Sequence, residues 1–213
     1  MSTLSLDHLA LGSITLVHGA LAEQPVDVLV NEANTYLQMS SGVSGALRAA
    51  GGIDIHKEAV THAPQPTGRI VRTGAGTLAA GAIYHAVLVD FTNGKGMSAK
   101  VVTQVVEEVL GLAEEDGFAT LAMPLFGSGG TGLSLQNGLE AIVQGLEAAG
   151  REQEAGIPVS IVVRDADEYA EACTIARELK AGAGRRQEEA SIAEDYLAQL
   201  MGELGGDLDL DFG

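Results

Sequence analysis

Two short polar segments of this chain carry residue types suited to holding a phosphorylated sugar. The first follows the apolar run Val26, Val28, Leu29, Val30 and passes through Asn31-Glu32-Ala33-Asn34 to Ser40-Ser41-Gly42-Val43-Ser44-Gly45. A carboxamide both donates to and accepts from sugar hydroxyls, so Asn34, just past a strand, is suited to orienting a ribose. Ser40, Ser41 and Gly42 let a ligand approach the backbone closely. A helix from about Val43 to Ala50, stopped by Gly51-Gly52, turns its positive end and unpaired amides toward any phosphate held there. Taken alone, an Asn after a strand is also an ordinary turn former, and a Gly-Val-Ser-Gly run an ordinary loop.

The second segment is Gly127-Ser128-Gly129-Gly130-Thr131-Gly132, between a strand read at Thr120 to Leu125 and a helix that starts after Ser134 and closes near Gly150. Strand, glycine-rich loop and helix again form a phosphate cradle. The loop fits G-x-G-x-x-G by letter, but that dinucleotide fingerprint belongs to a first βα unit with an acidic residue ending the next strand, and here Arg164 precedes Asp165. No Gly-Lys-Ser/Thr follows, so it is not a P-loop.

Both loops require strands that end at one edge of a sheet. Val26 to Val30 reads as a strand buried on both faces, and Ile70 to Thr73 and Ile83 to Val89 read as further strands. Residues 54 to 62 and 99 to 115 read as helices, the second capped by Ser98 after an Asn93-Gly94 turn, and Asp165 with Glu168 opens a helix reaching about Leu179. The histidines at 8, 18, 56, 62 and 85 lack metal-ligand spacing, and His85 reads as a hydrogen-bonded core residue. The single cysteine, Cys173, reads as a small buried hydrophobe in a chain from a reducing, cytoplasmic setting.

Together these segments resemble the macrodomain family over most of residues 9 to 180. Asn31-Glu32-Ala33-Asn34 is similar to its N-A-A-N, Ser40-Ser41-Gly42-Val43 to its G-G-G-V, and Pro124 to Gly132 to its second phosphate loop. The resemblance implies a three-layer α/β/α fold with a central mixed sheet and ADP-ribose across the sheet's upper edge. On that pattern Asn34 holds the distal ribose, Ser40, Ser41, Gly42, Val43 and Ser44 wrap that ribose and the nearer phosphate, and Ser128 to Gly132 cradle the diphosphate. The chain departs from the family at three points: Gly19-Ala20-Leu21 replaces G-D-I, whose aspartate binds the adenine amino group; Ser44 replaces the aspartate of the mammalian-type hydrolases; and Thr131 replaces an aromatic ring.

The formal net charge of −17 leaves no basic face to release counterions, which argues against direct nucleic-acid binding. An anionic ligand must therefore be held by oriented N–H groups, with Arg48, Arg69, Arg72 and Arg164 as candidate helpers. No run of eighteen apolar residues suggests a membrane span, and no cofactor is implied. Two classes of function stay open: a hydrolase that removes ADP-ribose from carboxylates or a small ADP-ribosyl compound, with Asn34 aligning the distal ribose, or a reader that binds without turnover. A pocket retuned to another ribosyl phosphate is a third.

Residues 1–181 read as one macrodomain-like domain and 182–213 as an extension. Ala181 to Arg186 reads as a linker, Ser191-Ile192-Ala193-Glu194 as a capping box opening an amphipathic helix, and Asp207 to Gly213 as an acidic tail. Residues 191–213 are a candidate docking segment for a protein partner. Truncation after Lys180 is expected to leave a folded domain with unchanged ligand affinity, read by circular dichroism and calorimetry. Unfolding or lost affinity would assign the extension to the core.

Overall fold

The computed structural model describes residues 2–6, 13–90, 92, 97–127, 132–150, 156–182 and 185. Seven strands form one mixed sheet: β1 (Thr3–Ser5), β2 (Ile14–His18), β3 (Val28–Asn34), β4 (Ile70–Thr73), β5 (Ala82–Val89), β6 (Leu121–Pro124) and β7 (Val159–Val163). Their order is β1-β2-β7-β6-β3-β5-β4. The five inner strands β2, β7, β6, β3 and β5 run parallel, and β1 and β4 close the edges antiparallel.

The parallel strands are apolar on both faces because helices cover both. All eight residues of β5 are buried. On one face Val28, Val30, Tyr84, Met123 and Ile161 pack under α3 (Ala99–Glu115), α4 (Leu135–Gly150) and α5 (residues 166–182). On the other, Leu29, Ile83, Ala122 and Val162 pack under α1 (Gly42–Gly51) and α2 (Ile53–Thr61) through Leu47 and Ile55. The result is the expected α/β/α sandwich.

Among the described residues the elements read from sequence are present, most with ends shifted by a residue or two, while β3 runs four residues past Val30 and α5 three past Leu179. β3 runs on to include Asn34, and Ser98 occupies the N-cap of α3 without a side-chain cap bond. Asp165 does cap α5: its Oδ1 accepts from the amides of Asp167 at 2.9 Å and Glu168 at 3.0 Å. That helix continues through 181 and 182, where a linker is read from composition. The strands β1 and β2 and the short 3-10 turn Leu21–Glu23 were not anticipated. The Asn93-Gly94 turn, the helix at 191 to 204 and the acidic tail lie outside the described residues.

Two polar clamps hold the sheet's lower edge, away from the strands' carboxyl ends. The Asp27 carboxylate accepts from Thr120 Oγ1 at 2.8 Å and from the amides of Thr120 and Ala119 at 2.9 and 3.0 Å. The Thr120 hydroxyl, then the Ala119 amide, lowers its pKa despite desolvation. Asp116, just past α3, accepts from Tyr84 Oη and Arg72 Nη1, and the Arg72 guanidinium lies 5.8 Å from the Tyr84 ring centroid. Arg72 therefore serves the sheet edge and not the phosphate loops, because Asp116 and the Tyr84 ring already hold its charge.

The α3–α4 contact depends on Gly145. A Cβ there would lie 2.6 Å from Thr103 O and 2.7 Å from Val106 Cβ. Gly145→Val is expected to cost about 1–3 kcal/mol or more by forcing the helices apart, measured as a lower urea midpoint. An unchanged midpoint would show that α3 and α4 separate freely.

Candidate functional site at the carboxyl edge of the sheet

The parallel strands deliver five segments to one edge: Gly19-Ala20 after β2, Arg164 after β7, Leu125 to Gly127 after β6, the Asn34 turn after β3 and Asp90 after β5. Open α/β sheets bind ligands at this edge. Of the residues singled out from sequence, Asn34, Ser40 to Ser44, Gly127, Gly132 and Arg164 are described. Ser128, Gly129, Gly130 and Thr131 lie outside the described residues, so the middle of the second loop enters only through its roots.

Asn34 shapes its own loop. Its Oδ1 accepts from the amides of Tyr36 at 3.0 Å and Gln38 at 3.3 Å, and its Nδ2 donates to Gln38 O at 3.1 Å. These bonds fold residues 35–38 into a turn in which Leu37, buried, takes φ 55°. A branched side chain in the left-handed region costs on the order of 1 kcal/mol, and the carboxamide bridging the turn offsets it. Oδ1 has spent both lone pairs and one N–H is committed. Asn34 thus presents a single donor to a ligand.

The Ser40 to Val43 loop leads into α1 as expected. Ser41 is the N-cap, extended at φ −152°, and its side chain makes no capping bond; Gly42 follows at φ 59°, with open space where a Cβ would stand. The helix ladder begins with Gly45 N donating to Ser41 O at 2.9 Å. The amides of Gly42, Val43 and Ser44 therefore lie outside the ladder, at the positive end of a ten-residue helix. Ser40, Ser41 and Gly42 are exposed.

Ser44 differs from its reading as a ligand contact. Its side chain turns inward and is 7% exposed, and Oγ lies 2.8 Å from Asn31 Oδ1 and 3.0 Å from Glu32 O. Two buried acceptors under the first turn of α1 draw the hydroxyl away from the loop, so only its amide stays with the ligand-facing group. Asn31 Nδ2 in turn lies 3.0 Å from His85 Nδ1, and His85 Nε2 lies 2.9 Å from Thr73 Oγ1. His85 is the satisfied core histidine anticipated from sequence.

Three further side chains at this edge were missed as site residues. Glu32 sends its carboxylate to the root of the second loop, where Gly127 N lies 3.4 Å from Oε2. The signal was visible as the acid in Asn31-Glu32-Ala33-Asn34. At the β2 end, His18 and Tyr169 stack with centroids 5.3 Å apart and 26° between planes, beside the half-buried Ala20. Burial and a hydrogen bond with Cys173 push the Tyr169 phenol up to about 12. Arg164 is exposed at the end of β7.

Burial, with a smaller contribution from His62, holds the His85 pKa at about 4, below its ordinary 6.5. The unfolded chain takes up the proton first, so stability falls as pH drops from about 6.5 to about 4 and levels below that. The loss expected from this group is about 3 kcal/mol. Urea unfolding across pH 7.5 to 4.5 should show it, and His85→Gln should remove that part of the slope. Parallel profiles for the two proteins would contradict a neutral buried ring.

Comparison with known proteins matches the Macro domain family model to residues 30–142. An uncharacterised Aeropyrum pernix protein is 37% identical over 119 residues, which are 55% of this chain and 61% of that protein. An Enterobacter cloacae protein named O-acetyl-ADP-ribose deacetylase is 34% identical over 120 residues, 54% of this chain and 67% of that one. Among solved structures, a mutant Oceanobacillus iheyensis macrodomain with ADPR superposes with a TM-score of 0.72 at 19% identity, covering 84% of this chain and 98% of that one. The family model spans the strand that carries Asn34, the entry to α1 and both roots of the second loop, and the chain belongs to the Macro domain family.

Proposed function

We propose that the chain binds ADP-ribose, free or attached to protein, across the carboxyl edge of its sheet. The observation that carries this reading is the set of unladdered amides at Gly42, Val43 and Ser44, standing at the same edge as the one remaining donor of Asn34. Asn34 donates to the distal ribose, the loop from Ser40 to Val43 wraps that ribose and the nearer phosphate, and Gly127 to Gly132, with Ser128, Gly129, Gly130 and Thr131 between them, cradle the diphosphate. Arg164 stands at the base end. The ADPR-containing macrodomain of matching fold supports the ligand class. A reducing, cytoplasmic setting belongs to the same reading, supported by a lone buried thiol.

A second reading adds turnover, favoured by the deacetylase-named relative. Water would attack the anomeric carbon of the distal ribose as the bond to the attached carboxylate breaks and the carboxylate departs with the bonding pair, a phosphate of the substrate would take the water's proton, and Asn34 would hold the ribose in line. The inward turn of Ser44 leaves no side chain from that position to act as base, which favours binding without hydrolysis.

Calorimetry against ADP-ribose, ADP, AMP and NAD tests the binding. ADP-ribose should bind more tightly than ADP, and Asn34→Ala should weaken ADP-ribose by about 1–3 kcal/mol while leaving ADP nearly unchanged. Equal losses for both ligands would remove Asn34 from the distal ribose. Release of ADP-ribose from glutamate-linked protein separates the two readings.

A further inference from the structure

Most polar side chains buried among the described residues belong to one connected chain. Thr73, His85 and Asn31 lie on the neighbouring strands β4, β5 and β3, with Asn31 and His85 in register, and Ser44 joins them from α1. All four are buried, at 5%, 0%, 1% and 7% exposure. The steps measure 2.9 Å from Thr73 to His85, 3.0 Å from His85 to Asn31 and 2.8 Å from Asn31 to Ser44.

Hydrogen-bond polarity follows from the far end. Thr73 Oγ1 donates its proton to Gly74 O at 3.1 Å, so toward His85 it is the acceptor and Nε2 carries the proton. Nδ1 is then bare and accepts from Asn31 Nδ2, which turns Asn31 Oδ1 toward α1 to accept from Ser44 Oγ. Burial keeps the ring neutral, as this arrangement requires. The other end of α1 is also tied to the segment after β4: Thr77 N donates to Gly51 O at 3.0 Å and Thr77 Oγ1 to Ala50 O at 2.8 Å.

We propose that Thr73, His85 and Asn31 are positioning residues for ligand binding: through Ser44 they hold the first turn of α1, and with it the amides of Gly42 and Val43, at the spacing from Asn34 that the ligand requires. The inference rests on the ADP-ribose reading of this edge. None of the three touches the ligand. Their influence travels from the edge strand β4, across β5 and β3, to the loop.

The test compares Thr73→Val, Thr73→Ser and the parent chain by nitrogen-15 NMR of the His85 ring, amide spectra of Gly42 to Ser44, and calorimetry with ADP-ribose. The parent and Thr73→Ser should show the Nε2–H tautomer and equal affinity. Thr73→Val removes the acceptor for that proton, so the ring should shift to Nδ1–H, the α1 amide signals should move, and the Kd should rise about tenfold, the scale of one lost buried hydrogen bond. A purely structural role would lower the melting temperature and leave the affinity and the amide signals of α1 in place, which would overturn the proposal; so would an Nδ1–H ring in the parent chain. If Thr73→Val fails to fold, Ser44→Ala breaks the chain at its other end and must move the same amides and Kd. If the parent does not bind ADP-ribose, the functional reading fails, while the ring tautomer and amide shifts still decide the positioning.

Discussion

A helix that offers its first-turn amides to a ligand has to be anchored by everything except those amides. In α1 the anchoring falls to one hydroxyl at the front, Ser44 to Asn31 and the Glu32 carbonyl, and to Thr77 at the back, bonded to the last carbonyls. Between them Leu47, fully buried, packs onto the sheet. Helix packing alone permits small slides along the axis, because apolar contacts are non-directional. Hydrogen bonds at both ends remove that freedom. The rest of the edge is arranged relative to this fixed helix.

The charge balance gives the edge its character. With a net charge of −17 the molecule repels anions at long range, and Glu32 brings a carboxylate to the root of the second loop. On the proposed reading, attraction of a phosphate would come from short-range dipoles such as the first-turn amides of α1, which act within a few ångströms. Such a site trades encounter rate for selectivity. On that reading it would engage an anion whose shape brings it against the amides and give other polyanions no reason to accumulate.

Elements defined by long, one-signal patterns were readable from the sequence. β5 is a fully buried run broken only by the polar His85, α1 stops at its paired glycines, and α3 and α4 have amphipathic periods over four or more turns. β1 escaped because three residues are too few for a period to show. At the site, the first loop and its passage into α1 were legible from the serines and Gly42, and the orientation of the side chains in it was not. Ser44 looked ligand-facing until Asn31 and His85, 54 positions apart in the chain, met beneath it. Arg72 looked available until Asp116, 44 positions away, claimed it. Asn34 stands at the carboxyl edge where it was read, but an amide after a strand carries no mark of how many of its bonds its own turn will consume.

That consumption sets the polarity of the contact Asn34 can make. With both lone pairs of Oδ1 facing Tyr36 and Gln38 and one N–H on the Gln38 carbonyl, the group is a pure donor toward the cleft. Whatever oxygen meets it needs only a lone pair. A hydroxyl or ether oxygen satisfies it, whereas the single-bonded oxygen of an ester, its lone pair drawn into the acyl group, accepts only weakly. A sugar carrying an acyl group at that atom would therefore meet a weaker hydrogen bond than the bare sugar, so the donor itself would discriminate between them before the volume of the cleft does.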